Sequence, residues 1–523
     1  MWLRQKTAWV CVLVLSAASV ATAQTECTAL PVAEDDALVF APNSDAVLRV
    51  DVVNPTGDDL RLVAAVRDFR GVAVPGAAVK KARDSGQTVI AYGVRKYFRV
   101  ETLSEKTVGQ GAVPVKAGHK GEVTIPLGKM PEGFYMVDLT FQRGEATVAN
   151  HKYPLGVFKP PADPELTPPD FLVGVYPQYM QYRRKTPPIF WKTYIHAIAN
   201  DLRAHRVNAF RACAAFDEGE LEIYNRYGIV GISQNGRKLD HPGVFATFVS
   251  DEPKPGKEME ELKAIYATLR QKSDKVITTC MVGEGMGLTT PGDPVNLWKQ
   301  LQPKVRLFRW YGVKKHFYDV LHPVHYKGNL PFTSVLRIAE VSYDTPWWII
   351  LPAFGGDQHE AYFQNPSPGQ LRCMSHLAVA YGADGLIYFR YQNGLVDPVT
   401  LKPRDGKLAV VAEVAGRVQK HAGTLKTPQH VGLDIRCPDP VVEAVPVRWG
   451  ERLAVYAVNK DPKNAVSTRL MLWDEVWHWT VAQDVYAGKK MEVTRADDGY
   501  LFVPLALGPG EGKVIVTDAK VDK

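Results

Sequence analysis

Eight short apolar segments alternate with stretches of helical periodicity between residues 170 and 421, and this alternation limits the fold more than any other feature. The segments are predicted strands at 171–176, 209–214, 229–232, 244–249, 276–281, 305–310, 347–351 and 385–389. Strands that alternate with helices form a parallel sheet, and eight of them close into a (β/α)8 barrel. A doubly wound open sheet is the alternative, but no glycine-rich phosphate-binding loop follows any of these strands.

The spacing of apolar residues identifies the helical stretches. In the stretch 258–269 the apolar residues fall on one face of a helix: Met259, Leu262, Ile265, Tyr266 and Leu269. Residues 370–381 and 408–421 follow the same pattern. The chain between the third and fourth strands is too short for a full helix, and residues 317–344 are long and irregular. Two of the eight units therefore depart from a regular repeat.

β-rich segments flank the predicted barrel. Residues 24–158 contain alternating strands separated by turns, which predicts an N-terminal β-sandwich. Residues 159–169 form a proline-rich linker, and the barrel is predicted over residues 170–427. Residues 428–523 return to strands and are predicted to form a small C-terminal β-domain.

Residues 1–23 have the pattern of a cleaved secretory signal peptide. Arg4 and Lys6 precede an apolar run, and Ala21-Thr22-Ala23 offers small residues for cleavage. The run is shorter than the roughly 20 residues that span a bilayer, so we expect a secreted or periplasmic protein without stable membrane insertion. The net charge of +7 is small for this length, and no segment clusters Lys and Arg with aromatic residues. Nucleic acid is therefore not an expected partner.

No metal and no cofactor are expected. Removal of Cys11 with the signal peptide leaves an odd number of cysteines without C-x-x-C spacing, which argues against a disulfide framework or a zinc site. Most of these cysteines lie in apolar contexts typical of inert core thiols. Asp357, His359 and Glu360 are of metal-ligand type, but their spacing matches no recognised zinc motif.

The sharpest chemical signal follows the fourth predicted strand. Residues 244–249 are apolar or small, as a strand buried on both faces requires, and they lead into Asp251 and Glu252. Burial raises the pKa of a carboxyl group, and two adjacent carboxylates push their pKa values apart. The pair can therefore supply one general acid and one anion. The alternative is that both residues cap the next helix, but Lys254-Pro-Gly delays its start.

A family resemblance rests on the same residues. Residues 248–253, Phe-Val-Ser-Asp-Glu-Pro, look like the strand-four signature of barrel glycoside hydrolases, which implies that Glu252 is the general acid. The Asp-Glu pair is similar to that of β-N-acetylhexosaminidases, which implies that Asp251 orients the substrate's acetamido group as an internal nucleophile. Residues 347–354, 368–373 and 381–388 resemble the last two βα units of secreted bacterial barrel glycosidases, and residues 456–459 resemble the start of a β-domain that follows them.

The end of the seventh strand departs from barrel glycosidases that use two glutamates. It continues from Pro352 to Asp357 without a glutamate, and the next one is Glu360. Three mechanisms stay open. Substrate assistance needs only Asp251 and Glu252; Glu284 or Asp217 is the second carboxylate; or the enzyme is inverting, with its base roughly 6.5–9.5 Å from the acid rather than roughly 5–5.5 Å.

Other residues at strand ends are candidates for substrate binding: Tyr176, Gln178, Asp217, Arg309, Trp310, Tyr311, Arg390 and Tyr391. The arginines can bind a uronate or sulfate through paired hydrogen bonds, or they can pair with barrel carboxylates. The aromatic rings can stack on sugars or simply close the core.

The sequence thus predicts a secreted glycoside hydrolase whose partner is a polysaccharide or oligosaccharide substrate, with Glu252, Asp251 and Glu284 as candidate catalytic residues. The alternative is a non-catalytic carbohydrate-binding or cell-surface protein on a barrel scaffold, which the missing strand-seven glutamate favours. A polysaccharide lyase is a third possibility, but its usual Tyr or His with Arg cannot be assembled from these strand ends.

Overall fold

The computed structural model shows a closed central barrel with a β-rich unit before it and another after it along the chain. The described residues are 26–84, 89–92, 96–162, 164, 166–167, 169–177, 188–211, 218–251, 257–282, 301–309, 339, 342, 345–354, 365–426, 435–473, 479–497 and 499–520.

The N-terminal part is a sandwich of two sheets. Its strands are β1 (Thr28–Val32), β2 (Val39–Phe40), β3 (Asp45–Val53), β4 (Leu60–Val74), β5 (Val89–Tyr92), β6 (Lys96–Val115), β7 (Lys120–Lys129), β8 (Gly133–Arg143) and β9 (Ala146–Val157), with one short helix, α1 (Val79–Asp84). One sheet has the order β1-β3-β7 and the other β2-β9-β8-β4-β6-β5. Along β3, Ala46, Leu48, Val50 and Val52 are buried while the residues between them are exposed, as period-two alternation requires.

The central part is a closed barrel of eight parallel strands, which confirms the predicted fold class. Its strands are β10 (Leu172–Val175), β11 (Ala209–Arg211), β12 (Val230–Gln234), β13 (Val244–Asp251), β14 (Val276–Val282), β15 (Arg306–Arg309), β16 (Trp347–Pro352) and β17 (Gly385–Phe389). The barrel closes because β10 pairs with β17 in parallel register. The accompanying helices are α2 (Pro188–Ala204), α3 (Glu218–Asn225), α4 (Lys257–Lys272), α5 (Pro368–Ala380) and α6 (Lys407–His421).

Strand four extends two residues further than predicted, to Asp251. Strand two is described over Ala209–Arg211, and the rest of its predicted range, 212–214, lies outside the described residues. Between β12 and β13 the chain forms turns instead of a helix, as the short spacing predicted.

Alternate residues of the strands fill the barrel interior. Ala209, Ile232, Phe248 and Leu307 belong to one buried cluster inside the barrel. Adjacent residues on a strand face opposite sides, and the two neighbouring tryptophans show this: Trp348 lies in the interior cluster, whereas Trp347 packs in the layer between strands and helices. The prediction that at most one of the two faces the interior is confirmed.

The C-terminal part is a second β-rich unit. Its strands are β18 (Leu425–Lys426), β19 (Ile435–Arg436), β20 (Val442–Trp449), β21 (Arg452–Asn459), β22 (Val466–Trp473), β23 (Ala482–Asp484), β24 (Lys489–Met491), β25 (Thr494–Arg495), β26 (Tyr500–Leu507) and β27 (Gly512–Lys520). They form sheets of order β18-β20-β21-β27-β23-β24 and β19-β22-β26-β25.

Both β-rich units pack directly on the barrel helices. The backbone N–H of Leu38 donates to Thr193 Oγ1 of α2 at 2.9 Å. For the C-terminal unit, Nδ1 of the buried His376 on α5 is 2.8 Å from Oη of Tyr456 on β21. Gly510 lies so close to α5 that a Cβ there would stand 2.2 Å from the carbonyl oxygen of Gly369. The N-terminal unit therefore contacts the helix that follows strand one, and the C-terminal unit contacts the helix that follows strand seven.

Two further observations bear on the sequence predictions. Within the described residues, no helix is long and apolar enough to cross a membrane. Within the described residues, Cys27, Cys373 and Cys437 are free thiols, and Cys27, Cys280 and Cys373 are buried. Desolvation raises the pKa of Cys373 to about 12, so this thiol is unreactive at neutral pH. Cys213 lies outside the described residues.

Candidate active site at the carboxyl-terminal mouth of the barrel

The carboxyl ends of the eight strands meet at one edge of the barrel, which we call the mouth. In this fold class, functional side chains come from these ends and from the loops that follow them. Strand four brings Asp251 to this edge as its last residue, and strand six brings Arg309. The structure thus places these two predicted site residues on the same rim.

A bulge sets the register of strand four. Phe248 pairs with Thr278 of β14, but the next registered pair is Asp251 with Cys280, so β13 carries one extra residue between the two pairs. Cys280 is fully buried in the barrel interior beside Phe248. Without the bulge, Ser250 would occupy the register position opposite Cys280. The bulge therefore assigns the register position opposite Cys280 to Asp251.

Arg211 is a mouth residue that the sequence analysis missed. Its Cζ lies 3.4 Å from the ring centroid of Phe248 and 4.2 Å from that of Tyr176, so the guanidinium is held between two aromatic rings. The residue is 6% exposed, and cation–π attraction is strongest for such desolvated pairs. A planar guanidinium fixed in this way offers N–H donors in a set direction to carboxylates or sugar oxygens. In the sequence, Arg211 stands out only as the single arginine, at the third position, of an apolar segment.

Tyr176 closes the mouth beneath this arginine. The residue is 3% exposed, and its ring meets the Phe389 ring edge-on with centroids 5.1 Å apart. Its hydroxyl is buried and has no hydrogen-bond partner in the described part of the chain. A buried hydroxyl without a partner costs about 1–3 kcal/mol. The ring offers no open face to a sugar in this conformation, so a role in binding stays a prediction that would rest on the hydroxyl.

Arg390 and Tyr391 follow strand eight but lie in different surroundings. Arg390 is partly exposed, with its Cζ 5.1 Å from the ring centroid of Phe354 and 5.2 Å from that of Phe389. Tyr391 is fully buried in the layer outside the barrel, where its hydroxyl donates to Asp201 of α2. Arg390 is therefore partly accessible, and its role in substrate binding stays a prediction, whereas Tyr391 presents no surface for stacking on a sugar.

Glu220 is a second residue that sequence reasoning missed. It lies in α3, is 3% exposed, and burial raises its pKa to about 8. Tyr224, one helical turn further on, stacks on Phe210 of strand two with centroids 3.8 Å apart. Phe210 faces the helix layer, so Glu220 is an uncharged group behind strand two rather than inside the mouth. Its signal was its i, i+4 spacing to Tyr224 on the apolar face of a short helix.

Most of the other predicted site residues lie outside the described residues: Gln178, Asp217, Glu252, Glu284, Trp310 and Tyr311, together with Asp357, His359 and Glu360. Their roles stay predictions. Among the described side chains, no group of three or more His, Cys, Asp or Glu could hold a metal ion.

Comparisons with known proteins give distant structural similarity alone. No family model matches the chain, and no curated protein matches it. One similar solved structure is a family 39 glycoside hydrolase from Bacteroides cellulosilyticus WH2, with 12% identity and a TM-score of 0.41, covering 94% of this chain and 100% of that one. A bacterial fucosidase bound to an inhibitor has 10% identity and a TM-score of 0.37, with 68% and 93% covered. A family 123 glycoside hydrolase from Clostridium perfringens has 9% identity and a TM-score of 0.30, with 76% and 88% covered. All three TM-scores lie below 0.5.

Proposed function

We propose that this protein is a glycoside hydrolase that cleaves O-glycosidic bonds of a polysaccharide or oligosaccharide. One observation carries the proposal: at the mouth of a closed barrel, a bulge gives Asp251 the register position opposite the buried Cys280, and Glu252 follows directly. Adjacent carboxyl groups at the carboxyl end of a buried strand are the arrangement that acid-assisted glycoside cleavage uses.

In the proposed reaction, Glu252 gives its proton to the glycosidic oxygen as the bond from that oxygen to the anomeric carbon breaks. With substrate assistance, Asp251 orients an acetamido group whose carbonyl oxygen attacks the anomeric carbon. Water then attacks the anomeric carbon, which breaks its bond to the acetamido oxygen and opens the ring of the intermediate. The water gives a proton to Glu252, and its oxygen stays on the anomeric carbon. Where the substrate has no acetamido group, Glu284 or Asp217 takes the place of this internal nucleophile or activates the water.

The proposed binding groups follow other strands of the barrel. Arg211 and Arg390 supply fixed guanidinium donors on the strand-two and strand-eight sides of the mouth. Gln178, Asp217, Arg309, Trp310 and Tyr311 keep their proposed roles in holding the sugar. Such preorganised donors position a substrate at little entropic expense during the reaction.

The test compares wild type with Glu252→Gln on a panel of aryl glycosides, including N-acetylhexosaminides, and on natural glycans. Because general acid catalysis contributes about 10²–10⁴-fold, we expect kcat for poor leaving groups to fall by that factor. The loss should shrink for nitrophenyl leaving groups, which depart without protonation. Glu261→Gln, an exposed carboxylate on the following helix, is the matched control. Equal rates in wild type and Glu252→Gln would remove Glu252 from this role.

A second candidate function is a carbohydrate-binding protein without catalysis. It is favoured by the end of strand seven, where the described residues 347–354 contain no carboxylate. Glycan-array binding without release of reducing sugar, by a protein with intact Asp251 and Glu252, would support this function over the hydrolase.

We also propose that the protein is exported after cleavage behind Ala23. The support is the order of basic, apolar and small residues at the start of the chain. Amino-terminal sequencing of the extracytoplasmic protein should begin at Gln24, and recovery of the uncleaved chain in the cytoplasm would contradict export.

A further inference from the structure

Lys407 is a buried cation in an unfavourable place. It is the first residue of α6, and its side chain is 1% exposed. Burying an ammonium group without a close counter-charge is costly, and the amino-terminal end of a helix repels cations. The carboxylate nearest to it within the described residues, Asp405, is 4.0 Å away and 58% exposed. Burial and the helix amino terminus both disfavour a lysine at this position, which points to a function that offsets them.

The Lys407 ammonium is hydrogen-bonded to the carboxyl end of strand seven. Nζ donates to the carbonyl oxygen of Ala353 at 3.1 Å, and Ala353 directly follows β16. The N–H of Ala353 in turn donates to the carbonyl oxygen of Phe389, the last residue of β17, at 2.6 Å. One cation therefore ties the ends of strands seven and eight to the first turn of α6.

The same ammonium reaches the chain that leads into α5. Nζ also donates to Oδ1 of Asn365 at 2.6 Å. Two residues later, Ser367 caps α5 by accepting a hydrogen bond from the Gln370 N–H at 3.2 Å, and the Gln370 side chain accepts from the Ser367 N–H. Lys407 thus joins both ends of the strand-seven connection, Ala353 before it and Asn365 after it.

The ends of strands seven and eight, which Lys407 joins, carry side chains that lie at the mouth of the barrel. Phe354 follows Ala353, and its ring meets that of Phe389 edge-on with centroids 5.0 Å apart. The guanidinium of Arg390 lies against both rings. A shift of the Ala353 carbonyl would therefore move two rings and one guanidinium of the candidate active site.

We propose that Lys407 is a positioning residue for this mouth: its ammonium sets where the carboxyl ends of strands seven and eight lie, and through them Phe354 and Arg390. The catalytic consequence rests on the proposed function, whereas the positional one does not. Two charged groups act on the ammonium, since Asp405 favours its protonation and Arg404 opposes it. Desolvation outweighs both and lowers the Lys407 pKa to about 8.

The positional claim is tested by hydrogen–deuterium exchange, which needs no substrate. Lys407→Met keeps the apolar length of the side chain and removes the donors, and Lys420→Met, an exposed lysine of the same helix, is the control. We expect faster exchange at residues 347–354 and 385–394 in Lys407→Met alone. Exchange matching the control, or rising uniformly over the barrel, would overturn the proposal. If Lys407→Met does not fold, Lys407→Gln replaces it.

The catalytic claim is tested on the glycoside that wild type cleaves best. A misplacement of about 1 Å can lower rates by about 100-fold, so kcat of Lys407→Met should fall roughly 10- to 100-fold with a much smaller change in KM. Lys407→Arg, which keeps N–H donors, should recover part of kcat. Unchanged kcat in Lys407→Met would refute the catalytic role while leaving the hydrolase proposal intact. A wild type without activity would refute the hydrolase and leave the exchange result valid.

Discussion

Glu220 illustrates how a single buried side chain can make stability depend on pH. Burial raises its pKa to about 8, whereas an unfolded glutamate has a pKa of about 4.3. Between these values the folded protein binds the proton and the unfolded chain does not, so stability falls as pH rises, by up to about 1.4 kcal/mol per pH unit. Above pH 8 this loss is complete.

The first prediction follows at this scale. Glu220→Gln replaces an ionisable group with a neutral one of the same shape, so Tm should fall less between pH 5 and pH 8 than in wild type. Thermal melts of wild type, Glu220→Gln and Glu222→Gln, an exposed neighbour on α3, measure the difference. Parallel pH curves for wild type and Glu220→Gln would mean that this carboxyl is already ionised in the folded protein.

Arg211 shows why the candidate site was only partly predictable. Sequence reasoning looked for chemistry after each apolar segment, and Arg211 falls inside the predicted second strand, 209–214. In the structure its guanidinium lies between Tyr176 and Phe248, which are distant in sequence. Contacts of this kind depend on barrel closure, and local sequence patterns carry no record of them.

At the scale of secondary structure, the eight barrel strands were all predicted because each one is buried on both faces. Such strands are nearly continuous apolar runs, as in Trp347–Pro352, and these stand out from amphipathic helices. The bulge in β13 was not predictable. Residues 248–251 show no glycine or other local signal for it, since the extra residue becomes visible only in the pairing with β14.

The second prediction concerns this bulge. The double substitution Ser250→Asp with Asp251→Ser keeps the composition but moves the carboxylate off the register position opposite Cys280. If Asp251 acts from that position, glycoside cleavage should fall by about 100-fold or more, because catalytic groups tolerate little displacement. Steady-state kinetics and circular dichroism would be recorded together. Retained activity in a folded double variant would show that the register is irrelevant to function.

At the scale of the whole molecule, the C-terminal β-rich unit is held against the barrel by close backbone approach. Gly510 has φ of 63°, and a Cβ there would lie 2.2 Å from the carbonyl oxygen of Gly369 on α5. Gly488 has a similar φ of 66° but nothing within 4 Å of the same position. Gly510 therefore combines a positive φ with a close interdomain contact, whereas Gly488 has the positive φ alone.

The third prediction uses this pair. An alanine at positive φ costs about 1–2 kcal/mol at either site, and Gly510→Ala additionally forces β27 and α5 apart. We expect Gly510→Ala to lower Tm more than Gly488→Ala and to speed proteolysis between the barrel and the C-terminal unit. Differential scanning calorimetry and limited trypsin digestion measure both effects. Equal behaviour of the two variants would show that the close approach contributes nothing to docking.

The pairing of Leu172 with Gly385 makes the first and last barrel strands neighbours in space although they are far apart along the chain. During synthesis, β10 cannot pair with β17 until the chain has been made as far as Phe389. A nascent or truncated chain that stops earlier has two unpaired strand edges, and such edges promote aggregation. Expression of fragments should therefore keep residues 172–389 whole, and a cell that makes this protein needs some means of shielding those edges until the last strand emerges.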